Sequence, residues 1–309
     1  MTNTGFINLN KPAGFTSHDC VAKMRRLLKT KKIGHGGTLD PAATGVLPIA
    51  VEKATRLLQF LPEAKAYRAR IRFGVTTTTD DLEGEIISSQ AVEDLKLENI
   101  KTYLNKLVGT IEQVPPMYSA IKKEGKKLYQ LARQGKQIDV PSRIVTIDEL
   151  KIIEFNSQDF PELEIEIKCS PGTYIRAIAR DLGSMLGVGG ALANLIRIES
   201  CGMKLTNSLT FTDIEQQLEA GTFKLIPPSQ ALNHLDTVSL NDQEALRWCQ
   251  GQIITIKSEQ LQQKQFLSES EIYLKIFNNN QTFLGIAQLI NQAEELLVKP
   301  KIVCANLEP

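Results

Sequence analysis

The chain has 309 residues, of which 42% are hydrophobic, and a formal net charge of +1 at pH 7. This length favours two domains with a buried core. No apolar run approaches the roughly 20 residues that a membrane-spanning helix needs. The N-terminus also lacks a signal-peptide pattern, so we expect a cytoplasmic protein. Five scattered cysteines without a CxxC pair and only three histidines predict neither a disulfide framework nor a metal site.

The charge is divided unevenly along the chain. Residues 1–211 hold 29 Lys and Arg against 23 Asp and Glu, whereas residues 212–309 hold 7 against 12. A basic part beside an acidic part is typical of a polyanion-binding surface confined to one domain. An ordinary solvated surface of mixed charge fits the totals nearly as well.

The first predicted elements are a short strand at residues 6–9 and a helix that Thr16 or Ser17 can cap. The apolar face of this helix is formed by Val21, Met24, Leu27 and Leu28. Six Lys and Arg residues lie between positions 23 and 32, so the helix ends in a cationic segment. This segment leads directly into a loop rich in glycine and proline.

Asp40 lies in that loop, between Leu39 and Pro41, with four glycines and Pro48 nearby. Proline fixes φ and forces the preceding residue away from helical geometry, so Asp40 is predicted to occupy a rigid, extended turn. A carboxylate on such a turn is held in one direction. Because Asp before Pro is also common turn chemistry, the residues alone favour a structural role for Asp40.

After a short helix near residues 54–61, the clearest alternation in the chain predicts a strand at residues 67–73. Its apolar face begins with Tyr67, and its other face carries Arg68, Arg70 and Arg72. A tyrosine on the apolar face of a strand is most often a core residue.

A basic segment follows at residues 122–136, with six Lys and Arg residues against one Glu and with glycines at 125 and 135. Strands are predicted at 144–155 and 163–169, and Thr173 can cap the next helix, which Gly187 can end. Arg176 then lies in the first helical turn, where the helix dipole disfavours a cation. We therefore expect an acidic partner for Arg176 elsewhere in the chain.

Four segments together are similar to the motifs of one family. The segment from Gly34 to Arg56, GHGGTLDPAATGVLPIAVEKATR, resembles the catalytic-aspartate motif of the TruB family of tRNA pseudouridine synthases, which isomerise uridine 55 in the T-loop of tRNA. Segments NKPAGFTSHDCV, KAYRARIRFGVTTTTDDLEGE and SPGTYIRAIARDLGSMLG resemble further motifs of that family. The resemblance is strong over residues 5–205, with two departures, Gly36 in place of Thr and Thr78 in place of an acidic residue.

The resemblance implies a role for each matching residue. Asp40 would be the nucleophile, Tyr67 would stack on the flipped base and take its C5 proton, and Arg176 would pair with Asp40. A local cation or Asp40 itself would have to assist Tyr67, because a phenol with a pKa of about 10 is a poor base. The residues expected to contact the substrate are His35, Lys11, Tyr174, Leu195, Lys126, Lys127 and Arg133.

The same resemblance implies an α+β fold with a mixed, mainly antiparallel sheet flanked by helices, and a small C-terminal PUA-like β domain. The expected boundaries are a catalytic domain at 1–211 with a basic thumb insertion at about 120–143, a linker at 212–231 and the C-terminal domain at 232–309. We expect a monomer that binds the T-loop and T-stem of tRNA and needs no cofactor.

Two alternatives remain open from the sequence. One is a guide-RNA-dependent pseudouridine synthase subunit, against which the basic segment argues because that type lacks the thumb. The other is a non-catalytic protein that binds or remodels tRNA, in which Asp40, Tyr67 and Arg176 would have no reason to occur together.

Overall fold

The computed structural model describes residues 4–119, 122–123, 126–128, 140–260, 271–292 and 295–305. The fold is α+β and contains two main sheets, as the sequence predicted. The described α-helices are α1 (Ser17–Leu27), α2 (Leu97–Leu104), α3 (Ile175–Met185), α4 (Phe211–Glu219), α5 (Pro228–Ala231) and α6 (Asp242–Cys249). Short 3-10 helices lie at Glu52–Phe60, Asn105–Leu107, Leu205–Asn207 and Ser258–Gln260.

The larger sheet has nine strands among the described residues. In chain order they are β1 (Gly5–Lys11), β2 (Ile33–His35), β3 (Thr44–Val51), β4 (Lys65–Phe73), β7 (Gly109–Gln113), β10 (Arg143–Asn156), β11 (Glu162–Cys169), β12 (Gly190–Ser200) and β13 (Met203–Lys204). Their main order is β1-β3-β12-β4-β11-β10-β7, with β2 beside β3 and β13 beside β12. The β3–β12 pair is parallel and the other pairs are antiparallel, which confirms a mixed, mainly antiparallel sheet.

Two short hairpins accompany this sheet. One pairs β5 (Val75–Thr77) with β6 (Ile86–Ser89), and the other pairs β8 (Lys122–Lys123) with β9 (Lys126–Lys127). The second hairpin falls in the predicted thumb, of which the rest lies largely outside the described residues.

Alternation in β4 sets the orientation of the sheet. Ala69, Ile71 and Phe73 are completely buried, whereas the three arginines between Tyr67 and Phe73 point outwards and pair with glutamates of β11. A strand with one apolar and one charged face buries only the apolar face, so α3 packs on that side through a completely buried stripe. This stripe consists of Ile178, Ala179 and Leu182.

The C-terminal sheet has five strands in the order β14-β16-β17-β18-β15. They are β14 (Asp236–Leu240), β15 (Ile254–Ile256), β16 (Ile272–Asn278), β17 (Phe283–Gln292) and β18 (Glu295–Val303). An apolar cluster joins this sheet to the first, since the rings of Phe60 and Tyr273 lie 4.9 Å apart and Leu57 shares a cluster with Ile286 and Ile302. The two sheets are therefore packed against each other.

The segment expected to be a linker, residues 212–231, is structured. Phe211 and Ile214 of α4 are buried in the same apolar cluster as Met24 of α1. Ile226 also forms two backbone hydrogen bonds of 2.8 Å with Phe6 of β1. The segment is thus packed onto the first sheet. None of the described helices is long and apolar enough to cross a membrane.

Candidate active site

Asp40 lies in the loop between β2 and β3, and the fold holds the backbone of this loop closely. The amide of Gly36 donates to the Pro48 carbonyl at 2.8 Å across the base of the loop. Gly45 has a φ of +103°, and a Cβ atom at this position would lie 2.3 Å from the Arg197 carbonyl oxygen. Only glycine fits where the loop enters β3, because both its conformation and the neighbouring backbone exclude a side chain.

Three buried side chains from other elements bind the loop. The ammonium of Lys11 donates to the carbonyls of Pro41, Phe15 and Pro12 at 3.0, 2.7 and 2.9 Å. The Ser17 hydroxyl donates to the Leu39 carbonyl at 3.2 Å and accepts from the Leu39 amide at 2.9 Å. The guanidinium of Arg197 donates to the carbonyls of Gly37 and Thr38 at 3.1 and 3.3 Å, and to Val46 at 2.7 Å. Asp40 therefore sits on a backbone that is fixed on both sides.

The prediction that Lys11 contacts the substrate is corrected by this geometry. Lys11 is completely buried, and its three acceptors are carbonyl groups of its own surroundings. Burial lowers the pKa of Lys11 below its ordinary value. Its ammonium positions the loop after Asp40 and does not face the cleft.

Arg176 has the acidic partner that the helix-dipole argument required. Its Nη2 lies 3.0 Å from Oδ2 of Asp40, and its Nη1 lies 3.5 Å from Oδ2 of Asp81. Two carbonyls, of Thr79 and Tyr118, accept further hydrogen bonds from the guanidinium. The Arg176 side chain is 7% exposed and that of Asp40 is 44% exposed. The Arg176 guanidinium is thus buried and fixed by its partners, while the Asp40 carboxylate remains accessible to a substrate.

Tyr67 lies in the same cleft as Asp40 and Arg176, so the three side chains converge as the sequence predicted. The phenol is 7% exposed and belongs to the main apolar cluster. Arg197 lies directly opposite Tyr67 in the pairing of β4 with β12. Burial raises the pKa of Tyr67 above its ordinary value of 10.0, and the neighbouring Arg197 guanidinium opposes that rise without cancelling it.

Leu195 and Tyr174 also line the cleft. Leu195 is 9% exposed and offers an apolar wall near Asp40. Tyr174 precedes α3, and its backbone exchanges two hydrogen bonds with the buried side chain of Gln113, at 2.8 and 3.2 Å. The helix begins at Ile175 and no side chain caps it, so the prediction that Thr173 is the cap was wrong.

The other predicted contact residues lie away from this cleft or outside the described residues. His35 ends β2, and its ring packs edge-on against that of His18 at 5.6 Å between centroids. Burial, followed by the charge of His18, lowers the pKa of His35. For Lys126 and Lys127 the structure describes only the backbone of a short strand, and Arg133 lies outside the described residues.

Sequence reasoning missed Arg197, Ser17 and Asp81 as parts of the site. Arg197 is a single cation within the apolar strand LANLIRI, and such a residue indicates a buried charge with polar partners. Asp81 is one of two adjacent aspartates in a turn, so its neighbour Asp80 was an equal candidate; Asp80 instead pairs with Arg180 at 2.8 Å. Among the described residues no group of three or more His, Cys, Asp or Glu is arranged to hold a metal ion.

The α+β fold of the chain is shared with solved structures. Solved structures titled "Crystal Structure of a Cbf5-Nop10-Gar1 Complex" and "Structure of H/ACA RNP bound to a substrate RNA containing 2'-deoxyuridine" share this fold, with TM-scores of 0.74 and 0.73. They are 24% and 23% identical to this chain, cover 97% of it in each case, and are themselves covered over 85% and 84% of their length.

Family models give a more specific assignment. The model described as "TruB family pseudouridylate synthase (N terminal domain)" matches residues 25–175, and "Pseudouridine synthase II TruB, C-terminal" matches residues 237–303. Proteins named tRNA pseudouridine synthase B are similar over most of the chain. The protein from Gloeothece citriformis is 56% identical over 98% of both chains, and that from Trichormus variabilis is 55% identical over 93% of this chain and 98% of the relative. The chain therefore belongs to the TruB family of pseudouridylate synthases.

Proposed function

We propose that this enzyme isomerises uridine 55 in the T-loop of tRNA to pseudouridine, as a cytoplasmic monomer that needs no guide RNA. Family membership supports the reaction, and the names of the relatives support tRNA as the substrate. The observation that carries the proposal is the convergence of Asp40, Arg176 and Tyr67 in one cleft. The position within tRNA rests on the resemblance of the Asp40 loop to its family motif.

Asp40 has the environment that the reaction requires. Isomerisation breaks the bond between N1 and C1′ of the nucleotide and forms a bond between C5 and C1′, with no redox change. A carboxylate can attack such an electron-poor sugar carbon, as in retaining glycosidases. The Asp40 carboxylate is open on one side and paired with Arg176 on the other, so it can meet the nucleotide without moving. Attack on the sugar, attack on the ring and deprotonation of the ribose all use this carboxylate.

The cleft also accounts for binding of the base. A uridine leaves its stacked loop at a cost of a few kcal/mol. Stacking on an aromatic ring contributes roughly 1–3 kcal/mol per base, and Tyr67 and Leu195 offer the ring and an apolar wall. The cation that must assist the Tyr67 phenol is Arg197, which lies opposite it in the sheet.

The rest of the chain binds the tRNA in this proposal. Residues 1–211 form the catalytic domain, and the basic insertion at about 120–143, with Lys126, Lys127 and Arg133, contacts phosphates of the T-loop and T-stem. Such contacts set affinity without reading sequence. His35 contacts the loop that the uridine leaves. The acidic C-terminal part, residues 232–309, is not the main anchor for the RNA in this proposal.

The guide-RNA-dependent alternative is less well supported. The solved structures of the Cbf5-Nop10-Gar1 complex and of the H/ACA RNP are 24% and 23% identical to this chain and share the fold alone. Relatives named tRNA pseudouridine synthase B reach 56% identity over 98% of the chain. A non-catalytic tRNA-binding role is not supported either, because the relatives are named as synthases and the Arg176–Asp40 pair lies in a cleft.

The proposal is tested by incubating the purified protein with an unmodified tRNA transcript, without any added RNA or protein, and measuring pseudouridine at position 55. The Asp40→Asn variant is expected to bind the transcript with nearly unchanged Kd and to form no product. Asp148→Asn, which changes an exposed carboxylate of β10, is the matched control and is expected to keep full activity. A requirement for a guide RNA, or comparable turnover by Asp40→Asn, would refute the proposal.

A further inference from the structure

Lys65 places an ammonium group in the cleft that the site described above does not use. It is the first residue of β4 and lies two residues before Tyr67, so both side chains project from the same face of the strand. Lys65 lines the same cleft as Asp40 and Tyr67. A Cβ atom on Gly37 would lie 3.5 Å from its Nζ, so the ammonium adjoins the loop that carries Asp40.

The ammonium of Lys65 differs from the other cations of the site in having no acceptor. Lys11 and Arg197 each donate to three carbonyls, and Arg176 pairs with two carboxylates. Within the described part of the chain, Lys65 forms neither a hydrogen bond nor an ion pair. The side chain is nevertheless half-buried. An ammonium removed from water is costly unless an anion or hydrogen-bond acceptor joins it.

A second buried cation, Arg197, increases this cost. Burial lowers the pKa of Lys65, and the positive charge of Arg197 lowers it further. Arg197 is completely buried and its acceptors are neutral carbonyls, so its charge is not cancelled by a carboxylate of the described residues. Two positive charges thus adjoin Gly37, and a bound anion would relieve their repulsion.

We propose that Lys65 binds a backbone phosphate of the RNA beside the target uridine. This proposal rests on the proposed function, because a nucleotide that enters the cleft brings its own phosphates with it. The other parts of the nucleotide have their partners, since Asp40 faces the sugar, while Tyr67 and Leu195 face the base. A compact ammonium with free donors fits the remaining part, the phosphate.

The experiment measures the salt dependence of tRNA binding in the Asp40→Asn background, where the substrate is not consumed. Each phosphate contact contributes about 0.7–0.9 to the slope of log K against log salt concentration. Lys65→Gln is expected to weaken binding and to reduce that slope by this amount, whereas Lys65→Arg keeps most of it. The control is Lys101→Gln, an exposed lysine on α2, which is expected to leave Kd and slope unchanged.

Thermal unfolding separates this role from a structural one. Because Lys65 has no partner in the described protein and is repelled by Arg197, Lys65→Gln is expected to unfold at the same or a higher temperature than the parent. An unchanged Kd and slope for Lys65→Gln would overturn the proposal. A lower single-turnover rate for Lys65→Gln with Asp40 intact, at saturating tRNA and with an unchanged slope in the Asp40→Asn background, would also overturn it, because the ammonium would then act on the reacting base. Absence of pseudouridine formation by the wild type would refute the proposed function without altering the binding result.

Discussion

Replacing Tyr67 by Phe tests whether the phenol takes part in the chemistry or only stacks on the base. The ring is 7% exposed and lies in the main apolar cluster, so Phe can occupy the same space without leaving a cavity. The loss is the interaction of the hydroxyl with Arg197, which retains its three carbonyl acceptors. The free energy of unfolding should therefore fall by only about 0.5–1.5 kcal/mol.

The effect on turnover should be much larger if the hydroxyl transfers the C5 proton. General acid–base catalysis contributes about 10²- to 10⁴-fold in rate, which corresponds to about 2.7–5.4 kcal/mol of barrier. Burial raises the pKa of Tyr67, so free phenolate is scarce at neutral pH. The neutral phenol can take the C5 proton only if its own proton passes to another group, for which the Asp40 carboxylate in the same cleft is the acceptor. The rate should therefore show no inflection from ionisation of Tyr67 below pH 10.

The assay is a single-turnover reaction with a tRNA transcript that carries tritium at C5 of its uridines. Release of tritium reports loss of the C5 proton, and chromatography of the digested RNA reports pseudouridine. Tyr67→Phe is expected to lower both rates by at least 10²-fold. The control, Tyr103→Phe on α2, removes a hydroxyl that does not line the cleft and should leave both unchanged. Rates for Tyr67→Phe within about threefold of the wild type would show that stacking is its whole contribution.

Three further substitutions test how much individual contacts stabilise the fold. Lys11→Met leaves three carbonyls without their donor and should lower the free energy of unfolding in urea by about 2–4 kcal/mol; an unchanged midpoint would contradict the bracing role. Gly45→Ala places a methyl group against the Arg197 carbonyl at positive φ and should lower the thermal midpoint, with strain alone costing about 1–3 kcal/mol. Arg70→Gln removes an exposed ion pair of β4 and should lower the free energy of unfolding, measured in urea, by less than about 1 kcal/mol. A larger loss would show that these ion pairs stabilise the sheet.

The sequence predicted the parts of the site that depend on local pattern. Alternation placed Tyr67 on the buried face of β4, and the position of Arg176 in a first helical turn indicated an acidic partner. The resemblance of three separate segments to motifs of one family connected these residues with Asp40, and the structure places all three in one cleft.

What the sequence did not predict depends on contacts between distant elements. Lys11 lies next to the Asp40 loop only because β1 and β3 pair. From the sequence alone, a buried lysine that binds the backbone of a loop cannot be distinguished from a lysine that contacts a substrate. Arg197 acquires its role from a strand pairing that no local pattern specifies. Likewise, the expected bounds of a linker at 212–231 could not show that Ile214 is buried, because that burial depends on the apolar surface that Ile214 meets.

Because the loop around Asp40 is held in one conformation, the RNA must change its conformation when it binds there. Lys11, Ser17 and Arg197 hold the backbone on both sides of the aspartate, so this loop has little conformational entropy to lose on binding. With the carboxylate fixed, the reaction rate depends on how readily a substrate can place its reacting carbon next to Asp40. An RNA loop that opens easily should then react faster than a stiff loop of identical sequence. The free-energy cost of bringing the uridine to a fixed Asp40 loop is a cost of deforming the RNA.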